Sequence, residues 1–238
     1  MSDPFDDALA ADTANGRTRI RDSYYWQAYG QRRYAILFYS LLFMLVAAPV
    51  AASTNAPAIL IKLLFAFCLL LAVLPNATKR TRIVFIGAIL LLIALRLVSE
   101  RDDVPIHFGP VLALYALTGL VAAAGSLRYA VTSHKVDSET IHAALSTYLL
   151  AGLFFGVLYT AIELSWPGSF SGPGEDKFTE SAATYYSFVT LATLGYGDFL
   201  PRSELARGVA TFEVIGGQLY LAVMVARLIG AFDMAKKD

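Results

Sequence analysis

The sequence predicts an all-α integral membrane protein, with six transmembrane helices and a short re-entrant helix and loop between the last two. Three observations support this. Hydrophobic residues make up 57% of the 238 residues and charged residues 16%, whereas soluble domains average about 45–50% and about 25%. The apolar residues are gathered into blocks at 34–53, 57–75, 82–99, 105–126, 140–165 and 205–231, each near the roughly 20 residues needed to cross a bilayer core. A further apolar block, 178–192, is too short to cross, and nonhelical backbone at membrane depth is tolerated only where it lines a watery cavity.

Residues 1–33 are polar, rich in Asp and Arg, and end in Tyr24, Tyr25, Trp26 and Tyr29 beside Arg32 and Arg33. They are expected to form a cytoplasmic arm, disordered over 1–20, whose aromatic cluster suits the membrane interface. This lead is too long for the basic start of a signal peptide. Ala47 to Ala52 faintly mimics a cleavage site, but 34–53 is read as a retained span. Residues 34–126 then form a four-helix membrane domain, 127–139 a cytoplasmic linker, 140–231 a second module and 232–238 a short cytoplasmic tail. With both termini inside, the cytoplasmic side collects thirteen of the nineteen Lys and Arg residues, in keeping with the positive-inside rule. Formal net charge is zero, so nothing suggests nucleic acid. Cys68 is the only cysteine, which excludes a disulfide within one chain.

The second module carries the informative residues. The stretch 178–192 can form about four turns of helix, with Thr179 as N-cap and Glu180 favourable at its positive end. Directly after it, residues 190–198 read Thr-Leu-Ala-Thr-Leu-Gly-Tyr-Gly-Asp. A bare Gly-Tyr-Gly is weak evidence, but the full string, after a short helix and between two long apolar spans, is specific.

This arrangement resembles the pore module of the tetrameric potassium channel superfamily. The likeness to the Thr-Val-Gly-Tyr-Gly filter is recognition of known chemistry and not a derivation. The resemblance implies a potassium-selective, passive homotetrameric pore. The carbonyls of Thr193, Leu194, Gly195 and Tyr196, with the Thr193 hydroxyl, would replace water around the ion, and Gly197 would complete the filter. Gly195 and Gly197 are needed because carbonyls facing one way force backbone angles that a Cβ resists. The resemblance also assigns supporting roles. Tyr185 and Tyr186 stand where many relatives carry a tryptophan pair that braces the filter. Asp198 corresponds to the residue that bonds back to the pore helix, and Glu163 to a carboxylate anchoring the outer helix. Leu194 departs from the usual Val. Its carbonyl would still serve, but an unbranched side chain packs less rigidly behind the filter.

In the last span, Gly216 and Gly217 suit the gating hinge that the resemblance implies at this distance from the filter, with close helix packing as the lesser alternative. Glu213 is a mid-membrane carboxylate, a costly group that usually faces protein or water. It is expected behind the filter, bonded to the pore helix. Gly152 and Gly156 form a Gly-x-x-x-Gly pair that can admit a neighbouring helix.

The fourth candidate span has no Arg or Lys between Val104 and Gly125. Voltage sensing needs such charges, each coupling to the field by about 2.3 kcal/mol per 100 mV, so weak voltage dependence is expected. His107, His134 and His142 are scattered and suggest loop or interfacial positions. No catalytic motif is present, and neither enzyme activity nor a cofactor is expected; potassium would be the permeant ion. The bilayer is the expected surrounding, a bacterial inner membrane the expected location, and no regulatory partner is indicated. The rival readings are a weakly selective cation channel and a non-conducting membrane scaffold.

Overall fold

The computed structural model describes residues 32–50, 87, 108–133, 136–174 and 177–235. The chain divides into two units, Met1–Arg33 and Tyr34–Asp238, and the account below concerns the second. The spans expected at 57–75 and 82–99, and almost all of the N-terminal arm, lie outside the described residues. Helix α1 covers Arg32–Val50, α2 Phe108–Thr132, α3 Ser138–Ser165, α4 Glu180–Leu191 and α5 Glu204–Ala235. Among the described residues, four helices (α1, α2, α3 and α5) are long and apolar enough to cross a membrane, so the chain reads as a multi-pass membrane protein.

Three of the helices begin for a legible reason. The Asp137 carboxylate caps α3, accepting from the Thr140 N–H at 2.8 Å and the Thr140 hydroxyl at 2.7 Å. Those two bonds hold the Asp137 carboxyl below its ordinary value of 3.8. Thr179 caps α4, accepting from the Ala182 N–H at 3.2 Å, with Glu180 in the first turn. The Ser203 hydroxyl accepts from the Ala206 N–H at 3.2 Å at the start of α5. Helix α4, with 12 residues, is roughly 18 Å long at 1.5 Å per residue. That is well short of a hydrocarbon core of about 30 Å.

The expected and observed C-terminal ends differ at α2, which continues to Thr132. The first six residues assigned to the 127–139 linker are therefore helical. Arg128 is the first charged residue of α2, and a helix does not have to stop at one. On the C-terminal side, α5 runs unbroken through the expected 231 boundary to Ala235.

Helices α2 and α3 pack as an antiparallel pair. Gly119 faces the Phe154 ring so closely that a Cβ there would stand 2.2 Å from Phe154 Cδ1. The Tyr34 ring stacks on Tyr129 at 4.6 Å, and the Glu139 carboxylate accepts from the Tyr34 N–H at 2.9 Å, which ties α1 to the start of α3. Gly152 and Gly156 both turn toward α4. A Cβ on Gly152 would meet the Phe188 ring at 2.4 Å, and one on Gly156 would meet Thr184 Cα at 2.7 Å. The Gly-x-x-x-Gly pair is thus the seat of the short helix.

The outer core joins α3, α4 and α5 through the buried residues Phe155, Tyr159, Ile162, Phe170, Ala183, Tyr186, Ala206 and Ala210. Its rings meet mostly edge to face, as aromatic quadrupoles prefer, with Tyr159 5.1 Å from Tyr186 and 5.4 Å from Phe170. Strand β1 (Phe170–Ser171) pairs antiparallel with β2 (Leu200–Pro201), Phe170 opposite Pro201 and Ser171 opposite Leu200. The segment after α3 and the segment after the signature loop are thereby stitched together.

Candidate functional site

The candidate site is the loop Thr193–Gly197, suspended between the C-terminus of α4 and β2. Helix α4 ends in a Schellman motif. The Thr193 N–H donates to the Thr190 carbonyl and the Leu194 N–H to the Val189 carbonyl, both at 2.9 Å, the two bonds that satisfy orphan carbonyls in this cap. Such a cap places its C′ residue in the left-handed region, usually as glycine. Here the residue is Thr193, with φ 56°. A left-handed conformation costs a residue bearing Cβ roughly 1–2 kcal/mol, so a hydroxyl is kept at this point against conformational preference.

The left-handed residues then alternate. Gly195 has φ 57° and Gly197 φ 78°, while Leu194 and Tyr196 have negative φ. A Cβ at Gly195 or Gly197 would meet nothing within 4 Å, so glycine is required there by backbone angle and not by space. Residues 193–197 are all exposed in the single chain, including Leu194 at 56% and Tyr196 at 66%. Behind the loop lies an open cleft of about 630 Å³, lined by Tyr186, Val189, Gly195, Gly197, Phe199 and Ile215 among others.

The two tyrosines of α4 have different surroundings. Tyr185 is partly exposed, hydrogen-bonds Asp198 and packs edge to face on Phe199 at 6.3 Å. The Asp198 carboxylate also accepts from the Phe199 N–H at 3.0 Å. Tyr186 turns into the outer core, among Tyr159, Phe170 and Phe178. The adjacent positions, roughly 100° apart around the helix, therefore meet different neighbours.

Glu213 is 1% exposed and joins three helices. The Tyr159 hydroxyl of α3 donates to its Oε2 at 2.5 Å, and the Ser187 hydroxyl of α4 lies 2.5 Å from its Oε1. Ser187 Oγ is also 2.7 Å from the Gly152 carbonyl oxygen. Glu163 reaches less far than expected. Its carboxylate accepts from the Gly168 and Phe170 N–H groups at 2.9 and 3.0 Å, closing the turn after α3 and not touching the loop directly.

Gly216 and Gly217 also differ. A Cβ on Gly216 would meet nothing within 4 Å, whereas one on Gly217 would stand 2.9 Å from the Leu191 carbonyl oxygen. Three participants carry no sequence signal of their own: Tyr159, Ser187 and Gln218, whose Nε2 donates to the Thr193 hydroxyl at 3.4 Å. Isolated Tyr, Ser and Gln residues in apolar helices are common, and their partners lie 54, 26 and 25 residues away.

Residues 143–233, which include α4, the loop and most of α3 and α5, match the family described as Ion channel. The chain is 35% identical over 89 residues to the inward rectifier potassium channel Kirbac3.1 of Paramagnetospirillum magnetotacticum, covering 36% of this chain. That match spans only 27% of the relative's own length. It is 26% identical over 132 residues to Protein LctB of Bacillus caldotenax, covering 50% of this chain and 97% of the relative. No solved structure is a significant match.

Proposed function

We propose that this chain supplies one quarter of a potassium-selective pore. Its ion ligands are the carbonyls of Thr193, Leu194, Gly195 and Tyr196 and the Thr193 hydroxyl, and Gly197 completes the turn. The observation that carries this reading is the alternation of left-handed Thr193, Gly195 and Gly197 in an exposed loop at the end of a helix too short to cross. In a strand, successive carbonyls point to opposite sides. When every second residue is left-handed, successive peptide planes turn their oxygens to the same side. A row of converging carbonyls is what a dehydrated cation requires. The C-terminal end of α4, with its partial negative charge, lies at the start of that row.

One loop offers a single oxygen at each level, so the ring closes only with further copies, and cyclic assembly of four follows the resemblance. Exposure of Leu194 and Tyr196, and of Phe212, Ile215 and Leu219 along α5, is in keeping with surfaces covered by neighbouring copies and lipid. Passive conduction, without an enzymatic step or a cofactor, is the activity that fits. The bacterial sources of both relatives and the basic cytoplasmic side support a bacterial inner membrane with both termini inside. Gly216 and Gly217 are the hinge in this reading, and α2, whose only cation is Arg128, gives no basis for voltage gating.

The test is potassium flux through the full chain reconstituted in liposomes. Flux blocked by barium, with a reversal potential following the potassium gradient, supports the pore. A reversal potential indifferent to potassium over sodium marks a weakly selective cation channel, and absence of flux a scaffold. Gly195→Ala is expected to abolish flux while leaving the oligomer intact; undiminished current in that variant overturns the filter assignment.

A further inference from the structure

A side chain from α5 reaches the inner end of the loop. Because Gly217 lacks a Cβ, α5 approaches the last turn of α4 closely; a Cβ there would stand 2.8 Å from Leu191 Cδ1 and 2.9 Å from the Leu191 oxygen. That approach carries the next residue, Gln218, beside Thr193, where its Nε2 donates to the hydroxyl at 3.4 Å. Gln218 is exposed, so filling the core does not explain it. Thr193 is thus held twice, its N–H by the Thr190 carbonyl and its hydroxyl by Gln218.

From this we infer that Gln218 is a positioning residue for the innermost ion site, orienting the Thr193 hydroxyl so that its oxygen faces the ion path. The inference rests on the pore reading above. A threonine hydroxyl carries one proton and two lone pairs, and its rotor is free unless something bonds it. It ligates a cation only when a lone pair points at the ion and the proton points away. An amide N–H donating into one lone pair fixes the rotor and leaves the other for the ion. Gln218 is uncharged, so it orients the ligand without adding a fixed charge that would hold a permeating ion too tightly to leave. Gly217 and Gln218 therefore act as a pair: one sets the distance, the other makes the bond.

Single-channel recording of the full chain in planar bilayers, with cytoplasmic potassium varied, tests this. Gln218→Met keeps the length and loses the bond, and Gln218→Asn withdraws the amide by one methylene. Both are expected to lower conductance at subsaturating potassium several-fold, with melting temperature unchanged. Gln218→Glu removes the N–H donor and adds the fixed charge the wild type avoids, so it too is expected to conduct less well than the wild type. Thr193→Val removes the group being oriented, so adding Gln218→Met to it is expected to cause no further loss. Conductance of Met and Asn variants equal to wild type, or independent multiplying effects in the double variant, overturns the inference alone. A wild-type protein that passes no potassium overturns the pore reading, and this inference falls with it.

Discussion

The Ser187 hydroxyl stands 2.5 Å from the Glu213 carboxyl and 2.7 Å from the Gly152 carbonyl oxygen, with a single proton to give. Both contacts are hydrogen bonds only if the group at position 213 donates toward Ser187 while accepting from Tyr159. A neutral side chain with one donor and one acceptor meets that requirement. Glu213→Gln is therefore expected to retain the fold. Glu213→Ala should be destabilised by about 1–3 kcal/mol, because the buried Tyr159 hydroxyl loses its acceptor while Ser187 still donates to the Gly152 carbonyl. Thermal unfolding in detergent measures the difference, and equal losses in the two variants contradict the proposed bonding.

The adjacent glycines of α5 separate packing from bending. Gly217→Ala forces a Cβ to within 2.9 Å of the Leu191 oxygen, and such overpacking costs about 1–3 kcal/mol. Gly216→Ala meets no neighbour and gains up to ~1 kcal/mol of helix propensity. Unfolding curves should therefore move in opposite directions. If Gly216 is the bending point, its alanine variant also lowers open probability in bilayer recordings while the fold becomes firmer.

Gly156 sets the position of the short helix. Alanine there brings a Cβ to 2.7 Å from Thr184 Cα and 3.1 Å from Thr184 N, and backbone cannot yield as a side-chain tip can. Helix α4 must shift, carrying the loop with it. Flux through Gly156→Ala is expected to fall much further than its stability, compared in liposome assays and melting curves of the same preparation.

Capping at Asp137 gives a pH dependence. Its carboxyl is held below 3.8 by the Thr140 hydroxyl and N–H, so the folded state favours the charged form. The stabilisation is complete above the ordinary carboxylate value and is lost as pH falls through the lower, folded one. Asp137→Ala is expected to cost about 1 kcal/mol at neutral pH. The gap to wild type in melting temperature should narrow only on strong acidification.

Voltage provides the last test. Helix α2 carries Arg128 alone, near its C-terminus. Moving one charge across the field yields about 2.3 kcal/mol per 100 mV, and steep gating requires several. A shallow conductance–voltage relation is expected from α2; a steep one would require sensing charges elsewhere.

Local signals were readable where chemistry is local. Thr179 and Glu180 announce the start of α4 in four residues, and the length of 178–192 already excludes a span. The Gly152–Gly156 spacing advertised a close neighbour but could not name Thr184 as its surface. Tyr185 and Tyr186 looked equivalent as a pair because sequence proximity hides which side of a helix each residue takes. Two-residue strands leave no periodicity, so the Phe170–Pro201 pairing was invisible. The apolar block 105–126 stopped six residues short of the end of α2 because hydropathy reports apolar content, not the end of the hydrogen-bonded helix. The Tyr159–Glu213 bond spans 54 positions, and only the assembled three-helix core brings its ends together.

The two short strands have a mechanical consequence. The Arg202 and Ser203 N–H groups both end on the Ser169 carbonyl, at 2.7 and 3.3 Å, so the head of α5 is riveted to the bend that follows α3. Neither helix can tilt at its outer tip without dragging the other. In the proposed pore, any swing that widens the conduit would therefore be confined to the opposite stretch of α5, and the end bearing the two strands would behave as a stationary collar.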